Sequence, residues 1–190
     1  MPQPLPELAF ASAAALARWL ARNAGSAPGL WIRFYKKGSG APSVTYAEAL
    51  DAALCHGWID GQVKGKDAQS WIHRFTPRKP KGNWSKRNRD HVTRLSAEGR
   101  MRPQGLAAVE AAKADGRWDR AYDSPSTSQA HPDFLKQLAK DEKAKVFYAT
   151  LSKANLYAIH YRLQTAKRPE TLARRIELVL EMLQRRQTFH

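Results

Sequence analysis

The chain has 190 residues, 43% hydrophobic and 26% charged, with 32 Lys+Arg against 17 Asp+Glu, a formal net charge of +15. That balance excludes a disordered or fibrous chain, and the length is enough to bury a core in one or two domains. No run approaches the ~18 apolar residues of a membrane span, and no basic run precedes the apolar stretch Phe10–Ala17 as a signal peptide requires. Cys55 is the single cysteine, so no internal disulfide forms. The expected compartment is the cytoplasm.

Ser12 to Asn23 reads as a helix, with Leu16, Trp19 and Leu20 at helical spacing. Gly29 to Lys36 alternates Leu30, Ile32, Phe34 with Trp31, Arg33, Tyr35, the pattern of a half-buried strand. After the turn Gly38-Ser39-Gly40, Thr45 and Glu48 form a capping box that opens a helix over Tyr46–Cys55, stopped by Gly57. This helix should bury Leu50 and Leu54. Trp58–Lys64 and Ser70–Thr76 read as an antiparallel hairpin, with Ile59 and Val63 inward and Trp58, Asp60 and Gln62 on the other face. Thr76–Asn83 is a loop. Ser85 precedes a helix to about Glu98, with Val92 and Leu95 inward. Pro103 opens another, with Leu106 and Val109 inward and Asp115-Gly116 at its stop. Beyond Asp119–Pro132, rich in Ser, Pro and Asp, everything is helical: Pro132–Lys140, Asp141–Leu151, Asn155–Ala166 and Pro169–Arg186. The last carries the stripe Leu172, Ile176, Val179, Leu180, Leu183. The expected fold is α+β: a small antiparallel sheet with helices on one face, followed by an all-helical C-terminal region. The expected division is a domain over 1–118, a linker over 119–131 and a helical domain over 132–190.

The charge is concentrated. Residues 71–105 hold 10 basic and 2 acidic side chains, more than half of the net excess. Such density costs self-repulsion unless anions relieve it. Trp58, Asp60, Arg74, Arg78, Trp84, Lys86, Arg87 and Asn88 are the candidate anion- or ligand-binding residues, since arginine forks suit carboxylate and phosphate. An Asp60–Arg74 ion pair is expected between the two hairpin strands. The competing view is that these charges brace the sheet against the following helix. A second, weaker anion-binding set is Lys167, Arg168, Arg174 and Arg175, around a helix start at Pro169. Its alternative is pairing of Arg168 with Glu170 or Asp141 and simple solvation of the rest.

Four stretches together resemble the bacterial YdeI/OmpD-associated, or bacteriocin-protection, family. They are Val44–Leu50 continuing through Ala53–Gly61; Arg74–Arg78 with Trp84–Asn88; Ala112–Trp118; and Ala166–Thr171 with Arg174-Arg175-Ile176 behind. Leu172 stands where that pattern would place a basic residue, and His56 where it would place an aromatic. The resemblance implies a role in tolerance of bacteriocins or antimicrobial peptides and an association with a porin. It supplies no catalytic residues.

Nothing reads as a catalytic set. The six histidines lack the i, i+4 pair of a zinc helix, so no metal and no cofactor are expected. Cys55 and His56 diverge by about 100° on a helix and form no nucleophile–base pair. Three functions stay open. The first is a non-enzymatic stress or antimicrobial-tolerance protein that binds a protein or small anion. The second is a nucleic-acid-binding protein using the basic 71–105 segment, where Trp71, Phe75 and Trp84 interleave with cations. The third is an enzyme on an anionic small molecule, with Asp60 as acid/base beside Arg74. Direct capture of a cationic bacteriocin is disfavoured, because a +15 chain repels it at long range.

Overall fold

The alternation between residues 29 and 36 becomes a strand whose apolar side chains anchor a sheet. The structure is a computed structural model describing residues 4–190. The first three residues of the expected 1–118 domain lie outside it. The chain divides into two compact units. One comprises the described residues through Gly82 with Asn88–Asp119, and the other comprises Asn83–Arg87 and Arg120–His190. The fold is α+β, with a four-stranded sheet and C-terminal helices.

In the first unit, β1 (Glu7–Ala9), α1 (Ala13–Asn23), β2 (Leu30–Tyr35), α2 (Tyr46–Cys55), β3 (Trp58–Gly65) and β4 (Ser70–Pro77) follow in order. The sheet order is β1-β2-β4-β3. The expected β3–β4 hairpin is antiparallel, as is β2–β4, but β1 pairs parallel with β2 and makes one edge mixed. Three residues of edge strand carry no readable period, which is why sequence analysis missed β1. Leu16 and Leu20 of α1 and Ala49, Ala52 and Ala53 of α2 pack on Leu30, Ile32, Phe34, Trp58 and Phe75. Both helices start where capping chemistry places them. The Ser12 hydroxyl accepts from Ala15 N–H at 3.3 Å, and the Thr45/Glu48 capping box is complete.

The inward assignment of Ile59 is corrected, and Val63, though on the helix-facing side, is not buried. A bulge between Asp60 and Val63 inserts an extra residue opposite β4. Before it, Trp58 and Asp60 face the helices; after it, the phase shifts and Val63 does, while Gln62 leaves that face. Trp58 is 1% exposed and belongs to the core, whereas Val63, beyond the helical cover, is 58% exposed.

α3 (Lys86–Ala97) and α4 (Pro103–Ala114) come next. Val92, Leu95 and Val109 are buried as expected, but Leu106 is 45% exposed. The buried stripe of α4 is instead Gly105, Val109 and Ala112, small enough for close approach to α2. Asp51 of α2 accepts from His91 (2.9 Å) and Arg94 (2.6 Å) of α3, with Arg100 at 3.7 Å. Burial alone would raise the Asp51 carboxyl, but the hydrogen bonds from Arg94 and His91 outweigh it and hold it below the ordinary value.

The second unit holds α5 (Pro132–Leu138), α6 (Glu142–Tyr148), α7 (Lys153–Gln164) and α8 (Pro169–Gln184). Phe134, Leu138, Ala144, Ile159, Leu163, Ile176, Val179 and Leu183 form its core, and Leu172 and Leu180 pack against it half-buried. The segment after Asp119 is tied into this unit. Tyr122 bridges to Ser85, and Asp123 N–H donates to Gln164 at 3.1 Å. No helix of the described residues is long and apolar enough to cross a membrane.

His160 is 7% exposed, with Tyr148 Oη 2.9 Å from Nε2 and Ser128 Oγ 3.1 Å from Nδ1. Burial pushes this imidazole below its ordinary value, against the pulls of Ser128 and Asp123. Once pH falls below the unfolded histidine value, the unfolded chain binds the proton first, so stability falls with falling pH. Between about pH 7.5 and pH 5.5, the unfolding free energy of the wild type should decline more steeply than that of His160→Gln. Equal slopes in denaturant titrations would refute this.

Candidate functional site

β3 and β4 carry the hairpin residues singled out in the sequence, and their alternation sends them to opposite faces. Asp60 pairs with Phe75 across the ladder and sits on the helix-covered side. Its Oδ2 accepts from Tyr46 Oη at 2.7 Å and lies 3.6 Å from His73 Nε2. His73 Nε2 also lies 3.0 Å from Gly61 O, so Nε2 carries the proton and donates. Its ring stacks on Tyr46 with centroids 5.2 Å apart, which leaves Nδ1 buried without a hydrogen-bond partner. This polar-aromatic cluster adjoins a cleft of about 690 Å³ between the β2–α2 loop and the rings of Phe34, Tyr46 and Trp71.

Arg74 lies on the other face. Among the described residues no ion pair joins it to Asp60. Its guanidinium instead passes over the bulge, where a Cβ on Gly61 would lie 3.4 Å from Arg74 Nε. Trp58 is in the core, its indole N–H donating to Ala24 O at 3.0 Å. Arg78 is half-buried and its backbone N–H donates to Gly57 O at 2.9 Å, while Asn88 is buried at 9%. These five residues belong to the first unit. Trp84, Lys86 and Arg87 belong to the second. There Trp84 is 3% exposed, Lys86 Nζ binds Asp123 Oδ1 at 2.6 Å, and Arg87 is exposed. In the weaker set, Arg175 donates to Arg162 O and reaches Thr165 Oγ1 at 3.4 Å, bracing α8 against the end of α7. Lys167, Arg168 and Arg174 are exposed. Neither Glu170 nor Asp141 pairs with Arg168 among the described residues; Asp141 caps α6 and accepts from Gln184.

The face of the sheet that carries Arg74 is the richer surface. Trp31, Arg33 and Tyr35 of β2, Lys64 of β3 and Ile72 of β4 lie there, each half-exposed or exposed. Lys64 Nζ sits 4.9 Å from the Trp31 ring centroid, and the Arg33 guanidinium 5.0 Å from that of Tyr35. The acids at its edges are engaged: Glu7 by Lys66 at 2.8 Å, and Asp67 by Arg33. A hydrogen bond from Ser70, more than the nearby Arg33 charge, holds Asp67 below the usual carboxylate range. Strand alternation already marked Trp31, Arg33 and Tyr35 as the outer row. What it could not show is that β4 and β3 add Arg74 and Lys64 to the same face, because that depends on register.

Burial pushes the Cys55 thiol up, away from thiolate. Among the described residues no group of three His, Cys, Asp or Glu side chains is placed to hold a metal ion.

The architecture is thus that of a mixed-sheet α+β unit joined to a helical unit, and each has a family counterpart. Residues 8–108 match the family described as a domain of unknown function (DUF8412), and the chain belongs to it. Residues 128–186 match the family described as Bacteriocin-protection, YdeI or OmpD-Associated, so the resemblance read along nearly the whole sequence is shown for the helical unit. No curated protein and no solved structure matches the chain.

Proposed function

We propose that this chain is a non-enzymatic, cytoplasmic protein of bacteriocin and antimicrobial-peptide tolerance, and that it acts by holding an acidic protein partner against the open face of its first-unit sheet. The observation that carries the reading is Lys64 and Arg74 on one face beside the Arg33–Asp67 ion pair, with Lys64 and Arg33 over aromatic rings and Glu7 held by Lys66. Cations fixed on rings lose little further entropy on binding, and the net charge of +15 draws acidic partners and repels cationic peptides. Protection is therefore indirect. The match at 128–186 to the family described as Bacteriocin-protection, YdeI or OmpD-Associated supports the tolerance part of this reading.

The test is survival of a sensitive bacterium expressing the chain under bacteriocin challenge. The triple variant Arg33→Gln/Lys64→Gln/Arg74→Gln should fold and lose protection, and protection equal to wild type overturns the reading. Rings topped by cations also favour a second reading, single-stranded nucleic acid stacked on the same face. A 20-nucleotide oligothymidine bound at about 50 mM salt, with affinity falling steeply as salt rises, would put that reading first.

A further inference from the structure

The open face of the first-unit sheet already carries carboxylates, those of the chain itself at its edges. Glu7 Oε2 lies 2.8 Å from Lys66 Nζ, and Asp67 accepts from the Arg33 guanidinium. Ser70 Oγ ties the second pair together: it accepts from Arg33 Nε at 3.0 Å and donates to Asp67 Oδ1 at 2.8 Å. None of these four charged groups is buried, so a competing anion can reach them. Two more cations on the face hold no carboxylate. Lys64 Nζ lies over the Trp31 ring and Arg74 over the bulge, and among the described residues neither is in an ion pair. The face thus displays the chemistry it accepts and leaves two positions for it open.

Register sets their spacing. Ile72 of β4 lies between Lys64 of β3 and Arg33 of β2, and Arg74 stands two residues further along β4. Lys64 and Arg74 are therefore diagonal neighbours, with backbones about 7–8 Å apart. Alternate side chains of an extended strand project to one side about 6.6–6.8 Å apart. Neighbouring same-face residues of a helix stand closer, at about 5–6 Å. The extended spacing is the better match to the open pair, and Ile72, half-exposed between the cations, offers apolar surface to the stems of such side chains.

We propose that the partner of this face presents an extended acidic segment, with carboxylates at alternate positions, laid across β3 and β4. The inference rests on the reading of this face as a surface for an acidic protein and narrows it to one kind of segment. Two successive outward carboxylates meet Lys64 and the Arg74 fork. Glu7 and Asp67 are internal competitors: while they hold Lys66 and Arg33, the segment has only Lys64 and Arg74, and neutralising them opens all four cations to it.

Fluorescence anisotropy of the full chain with two labelled peptides of equal charge tests it. One alternates four glutamates with single serines, and the other separates four glutamates by serine pairs, so that successive acids of an extended chain face opposite sides. At about 50 mM salt, where exposed pairs are little screened, the alternating peptide should bind at least about tenfold tighter. Lys64→Gln/Arg74→Gln, both exposed positions, should melt as wild type does and weaken that peptide at least about tenfold. Glu7→Gln/Asp67→Asn should strengthen it. Lys167→Gln/Arg168→Gln, which removes the same charge from the second unit, should leave it unchanged. Equal binding of the two peptides, both lost in Lys64→Gln/Arg74→Gln, overturns the extended segment and keeps the acidic-partner reading of the face. Binding of neither peptide overturns both. An equal loss in Lys167→Gln/Arg168→Gln shows net charge alone and overturns the site. An unchanged affinity in Glu7→Gln/Asp67→Asn overturns the competition. Tighter binding of a 20-nucleotide oligothymidine, lost in the same Lys64→Gln/Arg74→Gln variant, overturns the peptide in favour of nucleic acid.

Discussion

Trp58→Ala should destabilise the first unit by about 3–5 kcal/mol, the usual cost of removing a fully buried aromatic. Trp58 is 1% exposed, lies edge-on to Trp19 with centroids 5.9 Å apart, and donates its indole N–H to Ala24 O at 3.0 Å. Alanine removes the ring contacts, leaves a cavity against α1 and orphans a carbonyl at that helix's end. Set against total stabilities of about 5–15 kcal/mol, the loss leaves the unit close to unfolding. The outcome separates two roles for this residue. A tryptophan that serves only as a ligand platform would leave the denaturant midpoint almost unmoved and abolish binding. A core tryptophan moves the midpoint first. A midpoint within error of wild type in a guanidinium titration would show that the indole is not structural.

Gly105→Ala should be the second large effect, opposite in sign to helix propensity. Gly105 lies in the first turn of α4, where alanine ordinarily gains about 0.5–1 kcal/mol over glycine. Here a Cβ would stand 2.2 Å from Cys55 O and 2.9 Å from Leu54 O. Both are backbone atoms at the end of α2 and cannot swing aside. The helices must separate, which breaks the 3.0 Å hydrogen bond from Arg102 N–H to Cys55 O and loosens Val109 and Ala112. Overpacking of this kind costs about 1–3 kcal/mol and more where the obstacle is main chain. Gly57 meets the same contact from the other side. Its φ is +74°, and a Cβ there would come 2.8 Å from Gln104 O. Thermal unfolding of Gly105→Ala at or above the wild-type midpoint would contradict this packing.

The period of β2, the capping box at Thr45, the stop at Gly57 and the stripe of α8 were all legible in the sequence. Each is a local signal: side-chain alternation, a hydroxyl three residues from a carboxylate, or a glycine where φ must be positive. Helix ends in the second unit fell within a few residues for the same reason. The misreadings share the opposite property. Ile59 and Val63 were placed on one inward face by a strict period of two, but Ile59 lies on the outer face, and the bulge after Asp60 turns Val63 to the helix side at a place the helices do not cover. Leu106 was placed inward by hydropathy, whereas Gly105 and Ala112 won the interior of α4 because α2 lies too near for a larger side chain.

The candidate sites divide in the same way. Composition and charge alone established a basic chain, and the dense cation run at 71–105 is real as sequence. Register decides where those cations go. Arg74 and Asp60, on neighbouring strands joined by one hydrogen-bonded ladder, end on opposite faces. Arg74 joins Arg33 and Lys64, which lie far from it in sequence. Local backbone preference and patterning thus determined which helices and strands form, since those forces act over a few residues. Which charges meet was left to tertiary packing, because that depends on bulges, helix spacing and strand register that no single segment encodes.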